Sequence, residues 1–191
     1  MGYFANAGQI LIQFVFGALI LLIVLRVLLQ LVRANFYNPI CQFLYKASNP
    51  VLMPLRKVIP AWRNLDIAGV VLAWIVALIK IVLLYATVGQ TLGVLGLVVL
   101  ALADLVDFVL LLYIVLILGR VVLSFVGSDS YHPIVPLVLQ LTEPVLRPFR
   151  RLLPDIGGID FSPMVVLLAI TLARVLVAKP LLDLGLSLAQ G

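Results

Sequence analysis

The chain has 191 residues, of which 64% are hydrophobic and 11% are charged, and its mean hydropathy is +1.27. A soluble globular domain contains about 45–50% apolar and about 25% charged residues, so this composition excludes a water-soluble domain, a disordered chain and a disulfide scaffold. It indicates an integral membrane protein with about four spanning helices. The 13 basic and 8 acidic residues give a net charge of +5, whose meaning depends on where these charges lie.

Four hydrophobic runs predict membrane helices at Ile10–Val32, Ile67–Val88, Leu105–Val126 and Met164–Ala178. A helix needs about 20 residues to cross the hydrocarbon, so the last run is long enough only if it includes residues 160–163 and 180–182. No Lys or Arg precedes Arg26, which argues against a signal peptide.

The apolar stretch Gly89–Ala103 is predicted to be a partly helical outer connection or an interfacial helix that leads into the third span. The G-x-x-x-G spacing of Gly89 and Gly93 is compatible with helix packing, but a flexible loop is the commoner structure at a boundary.

Most basic residues lie in two long connections between spans: Arg33, Lys46, Arg56, Lys57 and Arg63 in the first, and Arg147, Arg150 and Arg151 in the second. The positive-inside rule predicts that both connections are cytoplasmic and that both termini are periplasmic in a bacterial inner membrane. The expected partners of these residues are anionic lipids of the cytoplasmic leaflet, not nucleic acid.

The chain repeats itself without a gap at an offset of 94 residues, because residues 26–80 align with 120–174 and 16 of the 55 pairs are identical. The matched pairs include Arg26/Arg120, Tyr37/Tyr131, Pro50/Pro144, Pro54/Pro148, Arg56/Arg150, Asp66/Asp160 and Lys80/Arg174. Each unit is a span, a basic connection and a span, so both have the same orientation. The predicted fold is an all-α membrane protein with four transmembrane helices. They form a bundle of two parallel-repeat hairpins, with residues 1–95 as the first repeat and 96–191 as the second.

Three aligned prolines of each connection are expected to break any long helix: Pro50, Pro54 and Pro60 in the first, and Pro144, Pro148 and Pro154 in the second. Between them, Arg56-Lys57 and Arg150-Arg151 are flanked by apolar residues, which predicts amphipathic segments at the membrane interface. Two alternatives stay open for these segments, namely an anchor that fixes the depth of the hairpin and a docking surface for a protein or a lipid headgroup. After the connections, Asp66 and either Asp160 or Ser162 are expected to cap the next helix.

Four cations lie inside the predicted spans and are duplicated by the repeat: Arg26, Lys80, Arg120 and Arg174. We expect Lys80 or Arg174 to pair with Asp104 or Asp107, and Arg26 or Arg120 to pair with Asp66, Asp160 or a lipid phosphate. Structural pairing is favoured over lipid binding and over a site for a transported ion. A simple cation pore is disfavoured, because cations that line a bundle repel K⁺.

Helical spacing predicts which side of each span faces the other helices. On the second span a stripe of small and polar residues is expected to face the bundle, where small side chains allow close approach: Asp66, Gly69, Ala73, Ala77, Lys80 and Thr87. Corresponding polar faces contain Arg26, Gln30 and Arg33 on the first span, Tyr113, Arg120 and Ser124 on the third, and Asp160, Thr171 and Arg174 on the fourth.

Residues for catalysis and for cofactor binding are scarce. The chain has one Cys and one His, Cys41 and His132, so neither a metal site of three or four ligands nor bis-His haem ligation is expected. His132 precedes Pro133 in a connection and is interpreted as a loop residue. Gly157-Gly158 is not followed by Lys-Ser/Thr, so no P-loop is present. We expect no enzyme activity and no cofactor.

The string 141–154, LTEPVLRPFRRLLP, followed by GGIDFSP at 157–163, resembles the signature of the YggT family of bacterial inner-membrane proteins, which has cyanobacterial and plastid relatives. The resemblance covers essentially the whole chain. The first repeat departs from it, because Asn49 replaces Glu143 and residues 61–64 read AWRN.

The resemblance implies associations with osmotic and ionic stress tolerance, with membrane or division-site organisation and with assembly of photosynthetic complexes, and it implies no catalytic activity. The favoured hypothesis is a non-enzymatic membrane protein that binds and supports a larger membrane complex, with a homo-oligomer as a further possibility. The alternative is a small transporter that uses the repeated intramembrane charges. The candidate interaction and structural residues are Arg26, Arg56, Asp66, Lys80, Arg120, Glu143, Pro144, Pro148, Arg150, Arg151, Asp160 and Arg174.

Overall fold

The computed structural model describes residues 3–59, 64–126, 132–152 and 160–190, and their regular structure is helical. The helices are α1 (Tyr3–Leu31), α2 (Pro39–Val58), α3 (Ile67–Ala86), α4 (Val94–Val126), α5 (Ile134–Leu152), α6 (Ser162–Ala173) and α7 (Lys179–Gln190). Four helical stretches are long and apolar enough to cross a membrane: Tyr3–Leu31, Ile67–Ala86, Val94–Phe125 and Ser162–Ala189. The predicted all-α fold with four membrane helices is therefore confirmed.

The third membrane helix begins at Val94, well before the predicted start at Leu105. Residues 94–103 are thus the first part of α4 and do not form a separate element, because their apolar side chains continue the helix without a breaker. The turn before α4 contains Gly89, whose φ of +69° lies in the left-handed region that favours glycine. The predicted repeat boundary at 95/96 falls in the first turn of α4.

The fourth membrane helix is continuous from α6 to α7 through a π-helical segment, Arg174–Ala178. The segment ends just before Pro180, which has no N–H and whose ring would press on the carbonyl of Leu176 in a regular α-helix. The backbone N–H of Lys179 donates to the carbonyl of Arg174 five residues back, so this helical turn contains one extra residue before the proline. The span extends beyond both ends of the predicted apolar run, as its length required.

Both connections form amphipathic helices, so the expectation that their prolines prevent a long helix is wrong for Pro50, Pro54, Pro144 and Pro148. The prolines of each pair are four residues apart and therefore lie on one face, which is the exposed face of α2 and of α5. The carbonyls that lose a helical hydrogen bond face the same open side, so they are not buried without a partner. Pro60, Pro154, Gly157 and Gly158 lie outside the described residues.

The membrane helices pack in the order α1, α3, α4 and the last helix, with α3 between α1 and α4. The extensive contacts are α1 with α3, α3 with α4, and α4 with α7. Among the described residues, the first and the last membrane helix do not pack extensively on each other. On one side, which we call the connector side, α2 packs on α1 and α3, and α5 packs on α4 and α6.

Small residues bring the helices close together. The predicted bundle-facing stripe of α3 is buried at Asp66, Gly69, Ala73 and Ala77. A Cβ on Gly69 would lie 2.5 Å from a methyl carbon of Val27, so glycine is needed where α1 crosses α3. Gly96 similarly allows the backbone of Ala189 to approach α4.

Candidate functional site

The connector side of the first repeat is built around the buried guanidinium of Arg26, which is 4% exposed. This side chain extends from α1 to α2, where it donates hydrogen bonds to the Ser48 hydroxyl and to the Asn49 side-chain carbonyl, the latter at 2.9 Å. Its Cζ lies 4.6 Å from the ring centroid of Tyr45, a cation–π distance. Arg26 thus connects the end of the first membrane helix to the middle of the amphipathic helix.

The second half of this cluster attaches α2 to the beginning of α3. Arg56, near the end of α2, forms an ion pair with Asp66 and donates to the Gln30 side chain at 3.0 Å. Asp66 is fully buried and also accepts a hydrogen bond from the backbone N–H of Gly69, which confirms the predicted helix cap. One carboxylate therefore caps α3 and holds the C-terminal turn of α2.

The second repeat builds the same cluster at the equivalent positions. Arg120 of α4 donates to the Thr142 hydroxyl at 2.8 Å and pairs with Glu143 at 2.9 Å. Arg150 pairs with Glu143 at 3.2 Å and with Asp160 at 2.8 Å. Asp160 in turn accepts a hydrogen bond from the backbone N–H of Ser162 at the start of α6. In both repeats, two arginines hold the amphipathic helix against two membrane helices.

These contacts correct one predicted pairing. Arg26 and Arg120 do not contact Asp66 or Asp160, because those carboxylates are taken by Arg56 and Arg150. The membrane arginines instead reach the amphipathic helices, which fold back beside α1 and α4. The aligned polar pairs Ser48/Thr142 and Asn49/Glu143 are the sequence signal for this contact, since they lie in otherwise apolar stretches of the two helices.

The carboxylates of the second cluster have lowered pKa values. Burial acts to raise the pKa of Glu143, but hydrogen bonds and charge from Arg120 and Arg150 outweigh it and hold the pKa below its usual value. Burial likewise opposes ionisation of Asp160, whose pKa is nevertheless lowered by hydrogen bonds from Ser162 and Arg150 and by the charge of Arg150. Both groups are therefore anionic at neutral pH.

Two further ion pairs lie farther along the membrane helices from the connector side. Lys80 of α3 pairs with Asp104 of α4, and Arg174 pairs with Asp107 of α4 through two hydrogen bonds of 2.8 and 2.9 Å. The predicted pairing of these cations with these acids is present in the structure. Both acids lie on α4, so the first pair joins the two repeats and the second lies within the second repeat.

The remaining basic residues of α2 and α5 face outward. Arg151 is exposed beside the paired Arg150, and Lys57 is exposed beside the paired Arg56. Arg147 and Lys46 are exposed on α5 and α2 respectively. We call Lys46, Lys57, Arg147 and Arg151 the basic surface. The paired Arg56 and Arg150 attach the two helices to the membrane helices, and the basic surface faces away from them.

His132 and Cys41 are the residues with potential catalytic chemistry, and the contacts of each are those of a structural residue. His132 lies just before α5, and its Nδ1 accepts from the backbone N–H of Ile134 at 3.4 Å, as the Asn38 side chain does from Ile40 at the start of α2. Cys41 is a free, buried thiol whose pKa is raised by burial, so it is a poor nucleophile. Within residues 3–59, 64–126, 132–152 and 160–190, no three His, Cys, Asp or Glu side chains converge on a metal position.

Both repeats of the chain match a known protein family. The family profile described as CCB3/YggT matches residues 5–87 and, a second time, residues 99–181. The chain belongs to the CCB3/YggT family. The two family matches begin and end 94 residues apart, which is the repeat offset found in the sequence. Family membership, expected from the signature, and two-repeat organisation, expected from the internal repeat, are confirmed.

Bacterial members of the CCB3/YggT family are similar to this chain over nearly its whole length. The chain is 40% identical to an uncharacterized protein of Pseudomonas aeruginosa over 92% of this chain and 91% of the relative. It is 36% identical to the uncharacterized protein YggT of Escherichia coli K12, with 97% of each chain covered. A Vibrio alginolyticus protein, named for its position in the proC 3′ region, is 38% identical over 90% of this chain. No solved structure matches the chain.

Proposed function

We propose that this chain is a non-enzymatic protein of the bacterial inner membrane that binds and supports a larger membrane protein complex. In this proposal both amphipathic helices lie at the cytoplasmic face and both termini are periplasmic, as the distribution of Lys and Arg favours. The observation that carries the proposal is that Arg56 and Arg150 attach α2 and α5 to the membrane helices through ion pairs, while the basic surface faces outward.

Rigid attachment suits docking better than it suits anchoring alone. An interfacial anchor needs only apolar side chains in the acyl boundary and basic groups on phosphates. Here each helix is also fixed by charge-assisted hydrogen bonds. Arg26 of α1 and Arg120 of α4 bind the middle of α2 and of α5, and Arg56 and Arg150 attach the ends of these two helices. Such pre-organisation lowers the entropy that a surface loses when it binds a partner.

The intramembrane charges support a structural role over transport. Lys80, Arg120 and Arg174 each contact a carboxylate, and Arg26 contacts two polar side chains and an aromatic ring. A path for an ion needs charges or polar groups that open onto water-filled space, whereas these cations bridge packed helices. In the proposal, any effect on osmotic or ionic stress tolerance follows from the supported complex and not from flux through this chain.

Photo-crosslinking in living cells tests this proposal. A photoreactive amino acid at the exposed position Arg151 or Lys57 is expected to capture a discrete membrane protein, identified by mass spectrometry. The matched control is the same amino acid at Leu168, which is 61% exposed on the apolar face of α6 and is expected to capture lipid. Equal protein capture at all three positions, or lipid alone at Arg151 and Lys57, would count against docking through the basic surface.

A further inference from the structure

The two arginine clusters differ by one charge. In the second repeat Arg120 and Arg150 are matched by Glu143 and Asp160, so this cluster is neutral. In the first repeat one carboxylate, Asp66, pairs with Arg56, and Arg26 contacts the neutral Asn49 at the position of Glu143. Two cations and one anion leave the first cluster with a charge of +1. Among the described residues, the Nε of Arg26 is also buried without a hydrogen-bond partner.

An open cavity of about 380 Å³ lies beside this charge and is lined by Phe36, Gln42, Tyr45 and Lys46. Tyr45 belongs to both the charged cluster and the cavity, since its ring contacts the guanidinium of Arg26 and also lines the cavity. Phe36 meets Tyr45 edge to face, with ring centroids 6.2 Å apart. The cavity therefore combines an aromatic wall with a lysine ammonium group, next to a cluster of excess positive charge.

The cavity residues have no chemical equivalents in the second repeat. At the offset of 94, Phe36, Gln42, Tyr45 and Lys46 align with Ser130, Pro136, Leu139 and Gln140. The second repeat thus lacks both the aromatic pair and the lysine, and it has the additional carboxylate. The loss of the acid at Asn49 and the gain of the aromatic and basic residues occur together in the first repeat.

We propose that the first repeat binds an anionic phospholipid at this cavity, with the lipid phosphate on Lys46 and the glycerol and upper acyl carbons against Phe36 and Tyr45. The unmatched charge of Arg26 behind Tyr45 strengthens the attraction. A bilayer lipid is the occupant that fits, because α2 is amphipathic and places the exposed Phe43 and Met53 on the same helix as Lys46. The proposal rests on the placement of α2 at the headgroup level and not on the protein partner.

Lipid titration of the purified full chain tests this site. The protein in neutral detergent is titrated with phosphatidylglycerol or with phosphatidylcholine of the same acyl chains, and bound lipid is counted by native mass spectrometry. Wild-type protein is expected to bind one phosphatidylglycerol in preference to phosphatidylcholine. Lys46→Gln, which installs the residue of the second repeat, is expected to weaken phosphatidylglycerol binding about fivefold, since a basic residue near an anionic lipid contributes about 1 kcal/mol.

Two further variants make the test specific. Asn49→Glu installs the second-repeat carboxylate beside Arg26 and is expected to weaken phosphatidylglycerol binding about fivefold without contacting the cavity. Arg147→Gln removes an exposed charge of the basic surface on α5 and is the control, with a change of less than about twofold expected. Circular dichroism verifies that each variant is folded.

Equal binding of the two lipids by the wild type would overturn the proposal. An effect of Arg147→Gln as large as that of Lys46→Gln would also overturn it, since it would show diffuse attraction to basic side chains. The titration contains no partner protein, so failure here leaves the docking proposal standing, and failure of the crosslinking experiment leaves the lipid site standing.

Discussion

Substitution of Lys80 and Asp104, which form an ion pair, tests how charges are accommodated inside the membrane. Lys80→Met leaves the Asp104 carboxylate without its cation, and Asp104→Asn leaves the ammonium group without its anion. The two side chains are 12% and 29% exposed. Both substitutions nearly conserve side-chain volume, so any loss of stability reports the charge and not a cavity.

The expected magnitude follows from the depth of the pair. Asp104 is ten residues into α4, about 15 Å from its start, whereas the middle of the 32-residue span Val94–Phe125 is about 24 Å from it. The carboxylate thus lies about 9 Å from the middle of a hydrocarbon layer whose half-thickness is about 15 Å. An ionised side chain costs about 2.5–3.5 kcal/mol at the centre. At this intermediate depth we expect each single substitution to cost about 2 kcal/mol.

The double substitution separates pairing from other effects. Lys80→Met with Asp104→Asn leaves no unpaired charge, so it is expected to recover about 2 kcal/mol relative to the sum of the two single losses. The control combines Lys80→Met with Asp107→Asn, one turn away on α4. Asp107 is paired with Arg174, so its coupling to Lys80 is expected to stay below about 0.5 kcal/mol.

Reversible unfolding in mixed micelles of a mild detergent and dodecyl sulfate measures these free energies. Loss of helical ellipticity reports unfolding, and a thiol-reactive fluorophore gives a second probe, because Cys41 is the one cysteine in the chain and is 4% exposed. Additive losses in the double variant would refute the pairing argument. Equal coupling of Lys80 to Asp104 and to Asp107 would refute the assignment of discrete pairs.

Three further outcomes are expected from the same unfolding assay. Gly69→Ala places a methyl group against Val27 and is expected to cost about 1–3 kcal/mol, whereas Gly119→Ala, which meets nothing within 4 Å, is expected to be neutral or stabilising. Glu143 has a pKa below its usual 4.5, so its stabilising contribution is present above pH 4.5 and is lost as the pH falls through the lowered pKa. The variant Glu143→Gln is expected to lose this acid sensitivity. An acid transition that is unchanged in the variant would contradict the assignment. Asp66→Asn keeps a cap acceptor and leaves only the part-exposed Arg56 without its partner. Arg56→Gln leaves the fully buried Asp66 carboxylate without its cation and is therefore expected to cost more.

The sequence predicts the fold well because the decisive signals are strong and local. Hydropathy gives the number of spans, and the repeat of prolines, arginines and aspartates gives the two hairpins. The α-helical path through Pro50 and Pro54 could not be predicted, because it depends on both prolines facing an open side where freed carbonyls need no protein partner. The start of α4 at Val94 was missed because stretches rich in glycine and leucine do not distinguish a loop from a helix.

The ion pairs and hydrogen bonds of the candidate site are only partly predictable from the sequence. The pairs between membrane helices, such as Lys80 with Asp104, follow from helical rise and the scarcity of acids in the spans. The contacts of Arg26 depend on how far α2 folds back along α1, which is a tertiary property. Its partners are neutral side chains in the first repeat, so matching of opposite charges could not have found them.

Quantitative co-purification from native membranes tests the central claim, that the fixed amphipathic helices serve as a docking platform. The full chain is isolated in a gentle detergent beside a variant carrying Lys57→Gln and Arg151→Gln, which leaves Arg56, Arg150 and their ion pairs in place. We expect a defined set of membrane proteins with the native chain and a loss of at least about fivefold in their recovery with the variant, at unchanged expression and stability. Recovery of the same proteins at the same level with both chains would contradict the claim.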